Sequence, residues 1–209
     1  MHRLLTINRN KTRLASNQRF LITLLGRLWV LSFLWLGSTI LLSTEKTSAA
    51  ELTVDESDQM EINRIKSAYL YNFLKYIDFP ESNEEQQLSG FKVCVLGQDP
   101  FGIALDGVAG RRAKGKPVII QRLESLGQVD TCHILYISQS EEANLSNILR
   151  KTESKAILTV SDIPDFVVRG GMVAFVSHQQ IRLEINLNNV QRSNIKISAL
   201  LLEIAKLRE

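Results

Sequence analysis

Histidine is scarce in this chain, with three among 209 residues. Beyond His2 there are only His133, inside an apolar run, and His178, between two such runs. No H-E-x-x-H, C-x-x-C or G-x-S-x-G is present. A zinc centre needs three or four clustered ligands and a hydrolase elbow needs its glycine-flanked serine. Neither chemistry has its motif here, no metal or cofactor is called for, and His133 reads as a packed residue. Tryptophan is confined to Trp29 and Trp35. Positive charge is also misplaced for nucleic acid. Of the 25 Lys/Arg and 22 Asp/Glu, seven and one fall in residues 1–50, so the remainder carries 18 and 21, a net of −3. Nucleic-acid binding relies on clustered basic residues, and the basicity of this chain belongs to its first fifty.

Those fifty residues read as an export signal. Arg3, Arg9, Lys11, Arg13 and Arg19 precede "LWVLSFLWLGSTILL" (28–42), and "TSAAE" comes next, with small residues at Ser48 and Ala50. Basic, apolar, then small-x-small is the secretory pattern, with cleavage expected after Ala50. Fifteen uninterrupted apolar residues fall short of the roughly 20 that span a bilayer. The alternative is an uncleaved inner-membrane anchor. The remaining residues, 51–209, are enough for one domain with its own core. Both cysteines, Cys94 and Cys132, lie there. An even count in an oxidising compartment favours pairing, although spacing does not establish it. Two buried, reduced thiols in neighbouring strands are the other reading.

The pattern of elements predicts an α/β fold. Residues 51–55 read as a short tail. Ile62, Ile65, Tyr69, Phe73 and Tyr76 recur at helical spacing across 56–77, and the helix must end before Pro80. "ESNEEQQLSG" is a loop. "FKVCVLG", "PVIIQRL", "CHILYIS" and "AILTV" read as strands. A helix over 99–110, capped by Asp99, and a helix over 139–152, with Ala143, Leu145, Ile148 and Leu149 inward, lie between them. Asp162 is placed to cap a two-turn helix that Gly170-Gly171 stops. "MVAFVS" and "IRLEINL" form a hairpin, succeeded by a short helix near 189–193 and a final helix over 198–207. The result is a single domain whose mainly parallel sheet is flanked by helices on both faces, with a C-terminal antiparallel hairpin strand at its edge.

Two catalytic-looking motifs fail on context. "GRRAKGKP" (110–117) approaches a phosphate-binding loop, but Pro117 replaces the hydroxyl residue and the segment leads into a strand, not a helix. It reads as a basic surface turn, with contact to an acidic partner as a lesser role. A phosphoacceptor receiver would need an aspartate ending the third strand, where Ser138 stands. Ser161-Asp162 and Arg169-Gly170-Gly171 read mainly as helix punctuation. The lesser reading is a small-molecule or partner site at the sheet's carboxyl ends. Asp162, Arg169, Glu184 and Asn186 are the candidates for a polar pocket there. Tyr69, Tyr71, Tyr76 and Phe79 are the candidates for partner contact, since an aromatic stripe is mostly core but leaves one or two rings for a surface.

"AYLYNFLKYIDFP", "CVLGQDPFG", "CHILYIS", "ILTVSDIPDFVVRGGMVAFV" and "RLEINLNNVQRSNIKISALLLEIAKL", in that order over residues 68–207, resemble the YfiR family. The resemblance implies a periplasmic α/β protein, often a homodimer, that represses an inner-membrane diguanylate cyclase by binding its periplasmic sensor portion. It also implies an OmpA-like outer-membrane lipoprotein as a second partner, and a disulfide between Cys94 and Cys132, which stand in the family's "CVLG" and "CHILYI" positions. The expected function is therefore regulation by protein–protein binding without catalysis. A periplasmic small-molecule-binding module serving another receptor is the alternative.

Overall fold

The computed structural model describes residues 46–80, 90–177 and 180–208, with side chains from Glu56 onward except that of Ser177. Most of the expected export signal, residues 81–89 of the expected loop, and His178 lie outside the described residues. Helix α1 (Lys46–Tyr76) opens the described chain. It begins ten residues before the helix expected from Glu56, because residues 46–55 contain neither proline nor glycine to stop it. Glu56 to Glu209 form one compact unit, which carries the sheet and its helices.

The strands are β1 (Ile77–Asp78), β2 (Phe91–Leu96), β3 (Arg112–Ala113), β4 (Lys116–Leu123), β5 (Ile134–Ile137), β6 (Leu158–Ser161), β7 (Val173–Ser177), β8 (Ile181–Asn186), β9 (Lys196–Ile197) and β10 (Ala205–Arg208). Eight of them form one sheet in the order β10-β8-β7-β6-β5-β2-β4-β3, and β1 pairs with β9 apart from it. The run from β4 through β2, β5 and β6 to β7 is parallel. The β7–β8 hairpin is antiparallel, as its short connection requires. β3 and β4 form a second hairpin around Lys114-Gly115, whose φ values of 48° and 80° suit a type I′ turn. The basic segment that approached a phosphate-binding loop is therefore a sheet-edge turn.

Successive residues of each strand serve opposite faces. Val93, Val95, Ile134, Tyr136, Leu158 and Val160 join Leu70, Phe73 and Leu74 of α1 in one core. Helix α2 (Ile103–Asp106) and α4 (Leu187–Arg192) pack on that face through Leu105 and Val190. The opposite face carries Leu135, Ile137 and Ala174 against Leu145 and Ile148 of α3 (Leu145–Thr152), and against Ile163 and Phe166. Helices thus cover both faces of a mainly parallel sheet, the predicted fold class.

Several element boundaries differ from expectation. Of the helix over 99–110 only the single turn α2 forms, because Gly102 takes φ 49° and Asp99 Oδ1 accepts from the Phe101 N–H at 2.8 Å in a local turn. Residues Gln139–Asn144 are 3₁₀, which leaves Ala143 exposed. Residues 164–170 are successive turns in place of a two-turn helix; Asp165 has φ 56°. The last helix, α5 (Ala199–Glu203), is cut short by β10, which pairs in parallel with β8 at Ala205↔Leu183 through Arg208↔Asn186. That pairing overrides the helix propensity of "LLLEIAKL". The C-terminal hairpin is consequently covered on its outer side and is not the sheet's edge.

Candidate functional site

The buried stripe of α1 runs through Asn63, Lys66, Ser67, Leu70, Phe73 and Leu74 and continues into Ile77 of β1. The spacing is helical throughout, but the stripe is rotated from the one read off the apolar residues. Ile65 and Tyr76, expected inward, are exposed. Three polar residues occupy the N-terminal half of the buried face. Ser67 satisfies itself by donating to the Asn63 carbonyl at 2.8 Å. Asn63 donates to the Pro100 carbonyl at 2.6 Å, tying α1 to the loop after β2. Lys66 is 5% exposed, and its ammonium lies 2.6 Å from Asp162 Oδ2, tying α1 to the loop after β6.

The Lys66–Asp162 pair corrects the reading of Asp162 as a helix cap. Capping geometry belongs to Ser161, whose Oγ accepts from the Ile163 N–H at 3.0 Å and donates to the Ile137 carbonyl at 2.6 Å. The hydroxyl is punctuation and the carboxylate is not. Asp162 Oδ1 and the hydroxyl of Tyr136 are both buried, and neither makes a well-formed hydrogen bond among the described residues. Burial pushes the Tyr136 hydroxyl far above its ordinary pKa, and the Asp162 carboxylate adds to this both by its charge and as an acceptor close to the phenol. Tyr136 therefore stays protonated.

These groups line a crevice of about 660 Å³, together with Gln98 and Asp99 after β2, Ser138 to Ser140 after β5, and Phe175 of β7. Its position is set by topology. The chain leaves β2 for β4 by way of α2 on one face, then crosses back to β5 and β6 with α3 on the other. Connections depart to opposite faces between β2 and β5, which opens a crevice at the carboxyl ends of these strands. Close approach of the two strand ends is built in. Gly97 takes φ 89°, and a Cβ there would come within 2.5 Å of Ser140 Oγ. Ser140 Oγ in turn accepts from the Gln98 N–H at 2.9 Å.

Of the four residues read as a polar pocket, only Asp162 lines this crevice. Arg169 pairs with Glu142 at 2.9 Å and lines a separate hollow beside α3. Glu184 lies between Lys206 at 3.0 Å and Arg208 at 3.5 Å on β10. Burial alone would raise its pKa, but those two cations hold it below the ordinary value. Asn186 caps α4, accepting from the Asn189 N–H at 3.0 Å, and donates to the Val167 carbonyl. Among the aromatic candidates, Tyr76 is exposed. Tyr69 packs against Phe73 and Phe175, and Phe79 against Phe91 and His133. The Tyr71 hydroxyl donates to the Arg112 carbonyl, with the Lys75 ammonium 4.2 Å from its ring centre.

Cys94 and Cys132 form a disulfide, with Cα atoms 5.9 Å apart. It lies in the core on the α3 face, away from the crevice face of α1. His133 Nδ1 accepts from the Lys92 N–H at 3.1 Å, and burial holds its pKa down to about 4, helped by the charges of Lys116 and Lys92. No group of three His, Cys, Asp or Glu side chains suited to a metal occurs among the described residues.

The sequence matches the profile of the YfiR/HmsC-like family over residues 63–206. The chain belongs to the YfiR/HmsC-like family. No curated protein matches the sequence. The matched span starts at Asn63, so this YfiR/HmsC-like domain takes in Lys66, Tyr136 and Asp162 along with the whole main sheet except the last two residues of β10. Lys66, Asn63 and Tyr136 are not picked out by sequence reasoning. The signal is there: extending the 70, 73, 74, 77 stripe backwards by helical steps lands on 66, 67 and 63, all polar.

Proposed function

We propose that this protein is an exported regulator of cyclic-di-GMP signalling that acts by binding, restraining an inner-membrane diguanylate cyclase through its periplasmic sensor portion. The observation that carries this reading is the match to the YfiR/HmsC-like family over 63–206. An inhibitor of this kind needs only a higher affinity for the inactive cyclase than for the active one, so a few kcal/mol of difference is enough. Tyr76 is the exposed member of the four aromatic candidates and the first to test for contact. An OmpA-like lipoprotein and a second copy of the chain are further partners in this proposal.

The test compares cyclic-di-GMP in strains lacking this protein, with and without the cognate cyclase. The level rises on deletion only when the cyclase is present; unchanged levels in both backgrounds overturn the reading. Export itself has an optical test. Cleavage after Ala50 removes Trp29 and Trp35, so protein recovered from the periplasm shows tyrosine emission alone. The crevice favours a second reading, a small-molecule-binding module. It holds two buried polar atoms without well-formed hydrogen bonds at a topological switch point.

A further inference from the structure

We infer that the crevice beneath α1 takes a neutral, hydroxyl-rich small molecule of about the size of a monosaccharide. This builds on the reading of the crevice as a ligand site, and its test needs no cyclase. Charge comes first. Lys66 and Asp162 neutralise each other at 2.6 Å, and Asp99 at the rim pairs with Arg122 at 2.7 Å, a cation it shares with Asp106. A ligand with net charge would compete for one member of a buried pair and strand the other, which is costly in a low-dielectric site. A neutral ligand leaves the pairs intact.

Hydrogen bonding then selects the chemistry. Asp162 Oδ1 can only accept, whereas the Tyr136 hydroxyl, held protonated, can donate. An alcohol can satisfy both, donating to the carboxylate and accepting from the phenol. An ammonium can donate to Asp162 but has no lone pair for Tyr136. A carboxylate or phosphate can accept from Tyr136 but is repelled by Asp162. The ring of Phe175 supplies an apolar wall, and a volume of about 660 Å³ falls in the range of small-molecule sites. The rest of the lining is mainly polar, with Asn63, Gln98, Ser138, Gln139 and Ser140 placed to meet further hydroxyls.

The test titrates protein purified from cells expressing the full chain with glucose, ribose and myo-inositol, and with glutamate, lysine and inorganic phosphate, by calorimetry and melting. Saturable binding of at least one of the first three and none of the last three is expected. Tyr136→Phe is then expected to weaken that binding about tenfold while leaving the unliganded melting temperature equal or higher, since the lost hydroxyl makes no well-formed hydrogen bond to the protein. Binding of a charged compound alone overturns the ligand class while preserving a ligand site. Absence of saturable binding by all six overturns both. Tyr136→Phe that lowers the unliganded melting temperature without altering affinity makes the hydroxyl structural and overturns its assignment.

Discussion

The inward face of α1 changes character half-way along. From Leu70 to Leu74 it is apolar, with Phe73 and Leu74 fully buried and Phe73 stacked on Phe175 at 6.1 Å. From Asn63 to Ser67 it is just as deeply placed but polar, and it reaches its neighbours through an amide, an ion pair and a hydroxyl. Burial alone does not distinguish the two halves. What they are buried against does: the apolar half meets the middle of the sheet, and the polar half meets the carboxyl ends of its strands. A buried ion pair is seldom more stable than apolar residues of the same volume. The polar half is therefore the costly half, and the crevice is what it is positioned to serve.

The largest effects come from breaking each half in turn. Phe73→Ala should cost about 3–5 kcal/mol through the cavity it leaves. Lys66→Ala should cost a similar amount, about 3–5 kcal/mol, because Asp162 is left charged and unpaired. The comparison sharpens with a second change: Asp162→Leu should rescue a Lys66→Met protein to wild-type stability or above, whereas no substitution at the crevice rescues Phe73→Ala. Urea unfolding of the four variants measures this. If Asp162→Leu adds to the damage in place of reversing it, the pair is a net source of stability and the contrast fails.

Next comes the disulfide, which crosses neither half of α1. Its 38-residue separation gives about 4 kcal/mol in the chain-entropy treatment. Reduction should lower the melting temperature, and denatured, non-reduced protein should titrate no free thiol. The ion pair across the crevice, being independent of the bridge, should show the same rescue pattern before and after reduction.

A smaller effect should accompany a change of pH. Folded His133 has its pKa depressed to about 4 from the ordinary 6.5, so the stability tied to its neutral form is complete above pH 6.5. That stability is lost as pH falls from 6.5 towards 4, because the unfolded chain binds the proton first. His133→Asn, which keeps an acceptor near the Lys92 N–H, should flatten the melting temperature across that window. An unchanged slope would rule out His133 as the source of the acid sensitivity. The smallest expected change is in Tyr136→Phe, whose unliganded stability should be equal to or slightly above wild type.

Much of this organisation is legible in the sequence, for physical reasons that also explain where it is not. The parallel strands and the β7–β8 hairpin are announced by apolar runs and turn residues, which report burial and backbone freedom directly. The rotation of α1 is not, because a reading built on apolar residues takes Ile65 and Tyr76 for core and passes over Lys66. Only a partner ninety-six residues away makes a buried lysine tolerable. The same distance hides the role of Asp162, since Ser161 beside it performs the local capping that the sequence attributes to the pair. β10 is invisible for a related reason. "LLLEIAKL" is good helix sequence, and only the open side of β8 makes its second half a strand.

The central claim is that the polar half of α1 is kept for function at the expense of stability. The most direct measurement is cyclic-di-GMP in a deletion strain complemented by the Lys66→Met/Asp162→Leu protein, whose stability and export have first been matched to wild type. The account predicts a well-folded protein that fails to restore the low cyclic-di-GMP level. Full restoration by a variant of equal or greater stability would contradict it.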